Sequence, residues 1–241
     1  ARLKKNKIKY DLLEEQLKTS GEPQVSTTDP DARALLVQGQ VVEVSYNIQA
    51  AVDDKHNLVV ATHTINRNDK NALSAIAMEA KENLALESFT VLVDKGYHNG
   101  REIETCKNNN ISTIVAVPEQ GKSNENGTQS EYFVSNFSYN KADNTYTCPE
   151  NQVLTTTGSW HKKTGRTEES GYQFQKYRTP KCKECPVKDL CTSRKGGREI
   201  DRSQYADAVE ENHRRYKDNP QRYRKRQEIN EHIFGTIKRK W

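Results

Sequence analysis

The chain has 241 residues, with 38 Lys and Arg against 33 Asp and Glu, for a formal net charge of +5. Its apolar content of 33% leaves room for one large domain or two modest ones. That content excludes a membrane protein: no apolar run approaches a membrane span or a signal-peptide core. The positive charge is local. From Glu211 to Trp241 ten Lys or Arg stand against four Asp or Glu, a local charge of +6 that exceeds that of the whole chain. A confined basic footprint of this kind points to a polyanionic partner such as DNA. Four of the five cysteines fall between Cys148 and Cys191, and Cys106 stands alone. An odd count without a secretion signal favours a reducing compartment and a metal site over a disulfide framework.

In chain order, Ala1 to Lys18 carries Leu3, Ile8, Leu12, Leu13 and Leu17 among Lys and Glu, the narrow apolar stripe of a packing or connector helix. Thr19 to Gly39, with Gly21, Pro23 and Pro30, reads mainly as a loop. From Tyr46 the period changes to two: Tyr46, Ile48, Ala50 and Val52 alternate with Asn47, Gln49 and Ala51. After a polar turn a second apolar run covers Leu58 to Ile65, which completes a β-hairpin. Asn68 or Asp69 is placed to cap the helix that follows, where Leu73, Ile76, Ala77, Ala80 and Leu84 recur at helical spacing. Phe89 to Val93 is a short buried strand that ends in Asp94-Lys95-Gly96-Tyr97, so an acid sits where open α/β sheets place their chemistry. A helix over Arg101 to Lys107 and a strand from Ser112 to Val117 follow. Glu119 to Asp201 is polar, with scattered aromatics and the cysteine cluster, and reads as an insertion of short strands around a metal. Two helices, Tyr205 to Lys217 and Arg222 to Lys238, divided by Asp218-Asn219-Pro220, end the chain.

Asp94 and Glu231 are the candidate catalytic acids. Cutting or transferring a phosphodiester requires carboxylates from different elements to hold two metal ions about 4 Å apart. Seven residues separate Glu231 from Lys238, close to two helical turns, so an acid and a cation share one helix face about 10 Å apart. Taken alone, Asp94 reads as a turn residue and Glu231 as one solvated charge. The order hairpin, helix, strand ending in Asp, helix, strand, insertion, helix carrying Glu instead fits a ribonuclease-H-like mixed sheet flanked by helices. Cys148, Cys182, Cys185 and Cys191 supply four soft ligands for a structural zinc, Cys182 and Cys185 from one Cys-x-x-Cys turn; free cysteines in a polar insertion are the plainer alternative. His56, His63, His98, His161, His213 and His232 show no ligand spacing. His98 and His232 neighbour the two acids and could touch substrate, and the plainer reading of both is a hydrogen-bonded structural histidine.

Several segments together resemble the DDE transposases of bacterial insertion sequences, in the branch with a Tyr-Arg-Glu-Lys signature. They are Asp29-Pro30-Asp31-Ala32-Arg33, Tyr46 to Asp53, Val93 to Tyr97, Tyr146-Thr147-Cys148-Pro149, Cys182 to Pro186, and Glu231 to Lys238. The resemblance implies that Asp94 is the second catalytic acid, Glu231 the third, and Lys238 a contact to DNA phosphate, with Tyr223 and Arg226 helping to position the strand. It implies Mg²⁺ or Mn²⁺ as catalytic cofactor, DNA ends and target as partners, a homodimer on paired ends, and a bacterial cytoplasmic, nucleoid-associated protein. Two positions depart from the pattern. Gln227 stands where the signature's Arg belongs, with Arg226 beside it, and Tyr223 lies one place too far from Glu231. The Asp-Gly-Thr motif that carries the family's first acid does not occur.

The expected organisation is a helical connector and loop over 1–39, a ribonuclease-H-like core over 40–118 whose first strand lies upstream, a cysteine-rich insertion over 119–201, and C-terminal helices with the third acid over 202–241. The expected function is cutting and joining of DNA strands by two-metal phosphoryl transfer, with this segment inactive alone for want of the first acid. The rivals are a catalytically inactive, transposase-derived DNA-binding protein with a zinc module, and a nuclease of the same fold that hydrolyses without joining.

Overall fold

The computed structural model describes residues 2–37, 41–118, 128–164 and 171–240, with the backbone alone for Val37 and for residues 237–240. Helix α1 (Arg2–Ser20) buries none of its residues, and Leu3 is 84% exposed. The expected stripe therefore has no partner surface among the described residues. The helix closes on Gly21, whose left-handed φ of 67° lets its N–H reach the Leu17 carbonyl at 3.1 Å. Strands β1 (Arg33–Val37) and β2 (Val41–Ser45) then pair antiparallel, Arg33 opposite Ser45. This hairpin corrects the loop expected up to Gly39. The Pro and Gly that suggested a loop precede it, and its own Leu35-Leu36-Val37 run is too short to show a period.

The hairpin of β3 (Asn47–Val52) and β4 (Val59–Ile65) forms with Asn47 opposite Ile65. Its turn is organised by Asp53, whose carboxylate accepts the N–H groups of Leu58 at 2.7 Å and His56 at 2.8 Å. At the start of β3 burial runs against the apolar alternation: Ile48 is 61% exposed, whereas Gln49 is 2% exposed. A polar network, described below, holds Gln49 inside. Helix α2 (Leu73–Asn83) buries Leu73, Ile76, Ala77 and Ala80. The expected cap falls elsewhere: Asn68 caps a 3-10 turn, Asp69–Asn71, and α2 begins after Ala72 with no side-chain cap. Its exposed Ser74 N–H is instead taken by the Glu102 carboxylate at 2.8 Å, a long-range partner that no local pattern can reveal. Strand β5 (Phe89–Val93), helix α3 (Gly100–Asn108) and strand β6 (Ile111–Val115) make a parallel pair with its crossover helix, Phe89 opposite Ile111.

The cysteine-rich stretch builds two three-stranded antiparallel sheets. One is β7 (Ser138–Asn140), β8 (Thr145–Thr147) and β9 (Val153–Leu154). The other is β10 (Trp160–Lys163), β11 (Tyr172–Arg178) and, after the one-turn helix α4 (Lys188–Cys191), β12 (Glu199–Ser203). A bridge between Thr155 and Arg178 links them. Phe137, Tyr146, Leu154, Tyr177 and Ile200 form a small core. Beside it the buried Arg202 donates to Tyr146 Oη at 2.9 Å, to Asp207 at 2.6 Å and to Glu210, with its guanidinium 3.6 Å from the Tyr139 ring centroid. These ion pairs and ring contacts offset the desolvation cost of burying the cation.

Helices α5 (Ala206–Asp218) and α6 (Pro220–Lys240) end the chain. The fully buried Asn212 of α5 serves the free edge of β6: its Oδ1 accepts the Val115 N–H and its Nδ2 donates to the Val115 carbonyl, both at 2.9 Å. Arg215 Nε donates to the Thr113 carbonyl at 2.9 Å. Side chains of one helix thus close an edge that would otherwise invite another strand. Residues up to Val117, together with those from Glu211 onward, form one compact unit, and Pro118–Glu210 a second. The fold is mixed α/β, with small sheets and helices, as the sequence implies.

Candidate functional site

Asp94 leaves the end of β5 and caps the 3-10 turn Lys95–Tyr97, its carboxylate accepting the Lys95 N–H. Its side chain is 55% exposed. The turn is fastened from behind. Tyr97 Oη donates to Gln49 Oε1; Gln49 Nε2 donates to Asn47 Oδ1 at 2.8 Å and to Asp69 Oδ1 at 2.9 Å; Asn47 Nδ2 donates to the same Asp69 oxygen at 2.7 Å. Gly96 fits against this network, since a Cβ there would stand 3.2 Å from Asp69 Oδ2. Burial, and then the Asp69 and Asp94 carboxylates, push the Tyr97 phenol well above its ordinary range, so it stays a proton donor. Asn47, Gln49 and Asp69 are site residues that no motif in the sequence marks as such. The available signal was two polar side chains at alternate positions of a strand otherwise read as half-buried.

One face of α6 meets this end of β5. Arg226 Nη1 lies 3.9 Å from Asp94 Oδ2, and its guanidinium is 5.2 Å from the Tyr223 ring centroid. Tyr223 in turn packs edge-on against Tyr216 at 4.9 Å. Arg226 Nε is buried with no hydrogen-bond partner among the described residues. Asp94, Tyr223 and Arg226 are therefore neighbours. Glu231 is not shown among them. Asn230 follows Arg226 by four residues and lines the same cavity, whereas Glu231 points about 140° around the helix from Arg226 and is exposed. The Lys238 side chain lies outside the described residues. Asp94 opens on a cavity of about 460 Å³, lined by Ala50–Val52 of β3, by β5, by the apolar face of α2, and by Arg222, Arg226, Ile229 and Asn230 of α6. Strands β3 and β5 are not hydrogen-bonded to each other across it. Asp53 and Asp54 also line it, but Asp53 is engaged by its own turn and Asp54 lies 3.5 Å from Lys225 Nζ.

Close by, His98 Nε2 and His213 Nδ1 are buried with no hydrogen-bond partner among the described residues. Burial, and then His213 when charged, lower the pKa of His98 against a backbone hydrogen bond that raises it; burial and then Lys217 lower that of His213. His232 is exposed.

In the second unit Cys148, Cys182, Cys185 and Cys191 line one cavity of about 20 Å³, and none is in a disulfide. Cys148 Sγ accepts the Gln152 N–H at 3.2 Å. Gly197, at φ 92°, lies so close to Cys182 that an added Cβ would come within 2.3 Å of the Cys182 Cβ. Burial raises the pKa of Cys191, Arg198 opposes that rise, and the other three thiols add to it. The thiols are gathered, yet among the described residues no group of three or more His, Cys, Asp or Glu side chains is arranged to hold a metal ion as it stands. Among the described residues, too, no helix is long and apolar enough to cross a membrane.

No curated protein and no solved structure matches the chain. Residues 147–241 match a protein family described as the transposase DDE domain. The match takes in three of the four clustered cysteines together with Cys148, and all of α5 and α6, but not Asp94, and it supports a transposase of the DDE type.

Proposed function

We propose that the chain is the catalytic part of a transposase that cuts and joins DNA strands on a ribonuclease-H-like sheet. The observation that carries the reading is Asp94, half exposed at the end of a parallel strand and faced by the most basic helix of the chain, within a protein whose C-terminal portion matches a transposase domain. Mg²⁺ or Mn²⁺ bound there would activate the attacking water or 3′ hydroxyl and stabilise the leaving oxygen. The carboxylate of Asp94 suits such an ion, because Arg226 at 3.9 Å already supplies a partial counter-charge that a metal can replace, leaving the guanidinium to a phosphate. Arg222, Arg226 and, further along α6, Lys238 hold the phosphodiester backbone without reading sequence. Tyr97, Gln49 and Asp69 fix the turn that aims Asp94.

Glu231 joins Asp94 if α6 turns on its axis when DNA binds. The first acid is carried by a further strand outside these residues, seated between β3 and β5, where the cavity of about 460 Å³ is bordered by both strands. That seat would complete a sheet from the two pairs. In the second unit, one zinc held by Cys148, Cys182, Cys185 and Cys191 would tie the loops that carry them, and the N–H donated to Cys148 Sγ suits a thiolate ligand.

The test is strand cleavage and joining on DNA carrying the element's ends, in Mg²⁺ and in Mn²⁺. The 241-residue chain alone is expected to do neither. The chain extended to include a strand bearing Asp-Gly-Thr is expected to do both, and Asp94→Asn and Glu231→Gln in the extended protein should each abolish both. Full activity of Asp94→Asn would end this reading.

A further inference from the structure

The outer face of the second sheet in the Pro118–Glu210 unit carries a feature that the Asp94 site does not use. In β11, Tyr177 points into the core, so the side chains that alternate with it, Tyr172, Phe174 and Lys176, lie on the opposite face. The edge strand β10 adds His161 opposite Phe174 and Lys163 opposite Tyr172. All four residues of β10 are exposed. The rings form a short row: His161 to Phe174 at 5.6 Å and Phe174 to Tyr172 at 6.1 Å between centroids. Cations flank it, with Lys163 Nζ 5.7 Å from the Tyr172 ring and Lys176 Nζ 5.8 Å from the Phe174 ring. The acids of this face, Glu199 and Asp201, are on the far strand β12, and Glu199 is held by Lys176 at 2.7 Å and by Arg194 at 3.0 Å.

Partly exposed rings at this spacing on one strand face, beside a lysine on the exposed edge strand, suit a ligand that offers both flat π-faces and negative charge. A duplex hides its base faces in its own stack; an unpaired strand exposes them. Phosphates of such a strand would meet Lys163 while its bases lie on Tyr172, Phe174 and His161. We infer that this sheet face binds unpaired nucleotides of a DNA strand. The inference deepens the reading that the chain works on DNA, but it stands on different residues and on binding alone.

The experiment measures the affinity of the 241-residue chain for a fluorescent oligothymidylate, and for a duplex of the same length, across a range of salt. Phe174→Leu keeps the apolar bulk and removes the π-face. It should weaken oligothymidylate binding roughly 5- to 150-fold, the effect of about 1–3 kcal/mol per stacked base, and leave duplex binding unchanged. Lys163→Gln should lower the salt slope for the oligothymidylate by about 0.7. If Phe174→Leu fails to fold, His161→Ala on the exposed edge should show the same selective loss. An oligothymidylate that does not bind, or binding that is unchanged in every one of these variants, overturns the inference, as does an equal loss for single strand and duplex. Full strand cleavage by Asp94→Asn in the extended protein, with this selectivity intact, would instead count against the Asp94 site alone.

Discussion

The two units of this protein are finished to different degrees. In Pro118–Glu210 the core side chains meet one another, Arg202 is paired and stacked, and the cavity among the cysteines measures about 20 Å³. In the other unit the strands stop at pairs, and about 460 Å³ stands open between them. The small unit uses aromatic rings, polar pairs and thiols where a short chain cannot bury much aliphatic area. The larger one leaves the apolar face of α2 and one side of β5 open onto this cavity, beside the half-exposed Asp94.

The contrast breaks most sharply at the cysteines. If zinc holds the small unit, protein purified without chelator should contain one zinc per chain, and Cys182→Ser should unfold this unit while β5, β6 and the part of α5 from Glu211 onward stay folded. A bound structural zinc contributes on the order of 10 kcal/mol, far more than the core of a small domain. Hydrogen exchange resolves the two units in one measurement. Protein with no zinc and unaltered protection in Cys182→Ser would mean that the aromatic core suffices.

In the larger unit the strongest single dependence should be on Asn212. Replacing it with Ala leaves the N–H and carbonyl of Val115 buried and unsatisfied, at about 1–3 kcal/mol for each group. A loss of roughly 2–6 kcal/mol in denaturant unfolding is expected. A loss well under 1 kcal/mol would show that water reaches the β6 edge, and that this side of the unit is as open as the other.

Filling the cavity sharpens the comparison from the opposite side. Ala77 is buried on α2 and lines the opening, so Ala77→Leu adds apolar bulk where space exists. If the space is open in the isolated chain, the variant should gain about 0.5–2 kcal/mol. A close-packed site would instead lose about 1–3 kcal/mol through overpacking. In the extended protein, where a strand is proposed to occupy the space, the same change should reduce stability and activity.

Much of this architecture was readable from local chemistry. Phe89–Val93 ending in Asp94, the periodic face of α2, and the break at Asn219-Pro220 all appear as expected, because their signals lie within one or two turns of chain. What escaped depends on partners far away in sequence. Glu102 caps α2, Asn212 closes β6, and the Asn47, Gln49, Asp69 and Tyr97 network fixes the Asp94 turn. In each a polar side chain was buried because a distant group satisfied it, and a pattern of apolar residues cannot register that. Glu231 is the converse case: its spacing to Lys238 is a property of any helix, whereas the face it presents depends on how α6 is rotated against β5.

The smallest expected effect is that of acid on the larger unit. His98 and His213 are partly buried, each with an orphaned ring nitrogen, and the cations near them include each other, when charged, and Lys217. Both have a folded pKa below the ordinary value of 6.5. The unfolded chain therefore binds more protons than the folded one as pH falls through that value, and stability that is fully present above about pH 6.5 should decline below it. His98→Gln, which cannot take a proton, should flatten the decline measured by thermal unfolding between about pH 7 and pH 5. The residual slope then belongs to His213. The histidine of the cysteine unit, His161, stands on an exposed strand, so this unit's own transition should stay level over the same range unless bound zinc is released. A decline in the larger unit that His98→Gln and His213→Gln together leave unchanged would show that these two histidines carry none of the acid sensitivity.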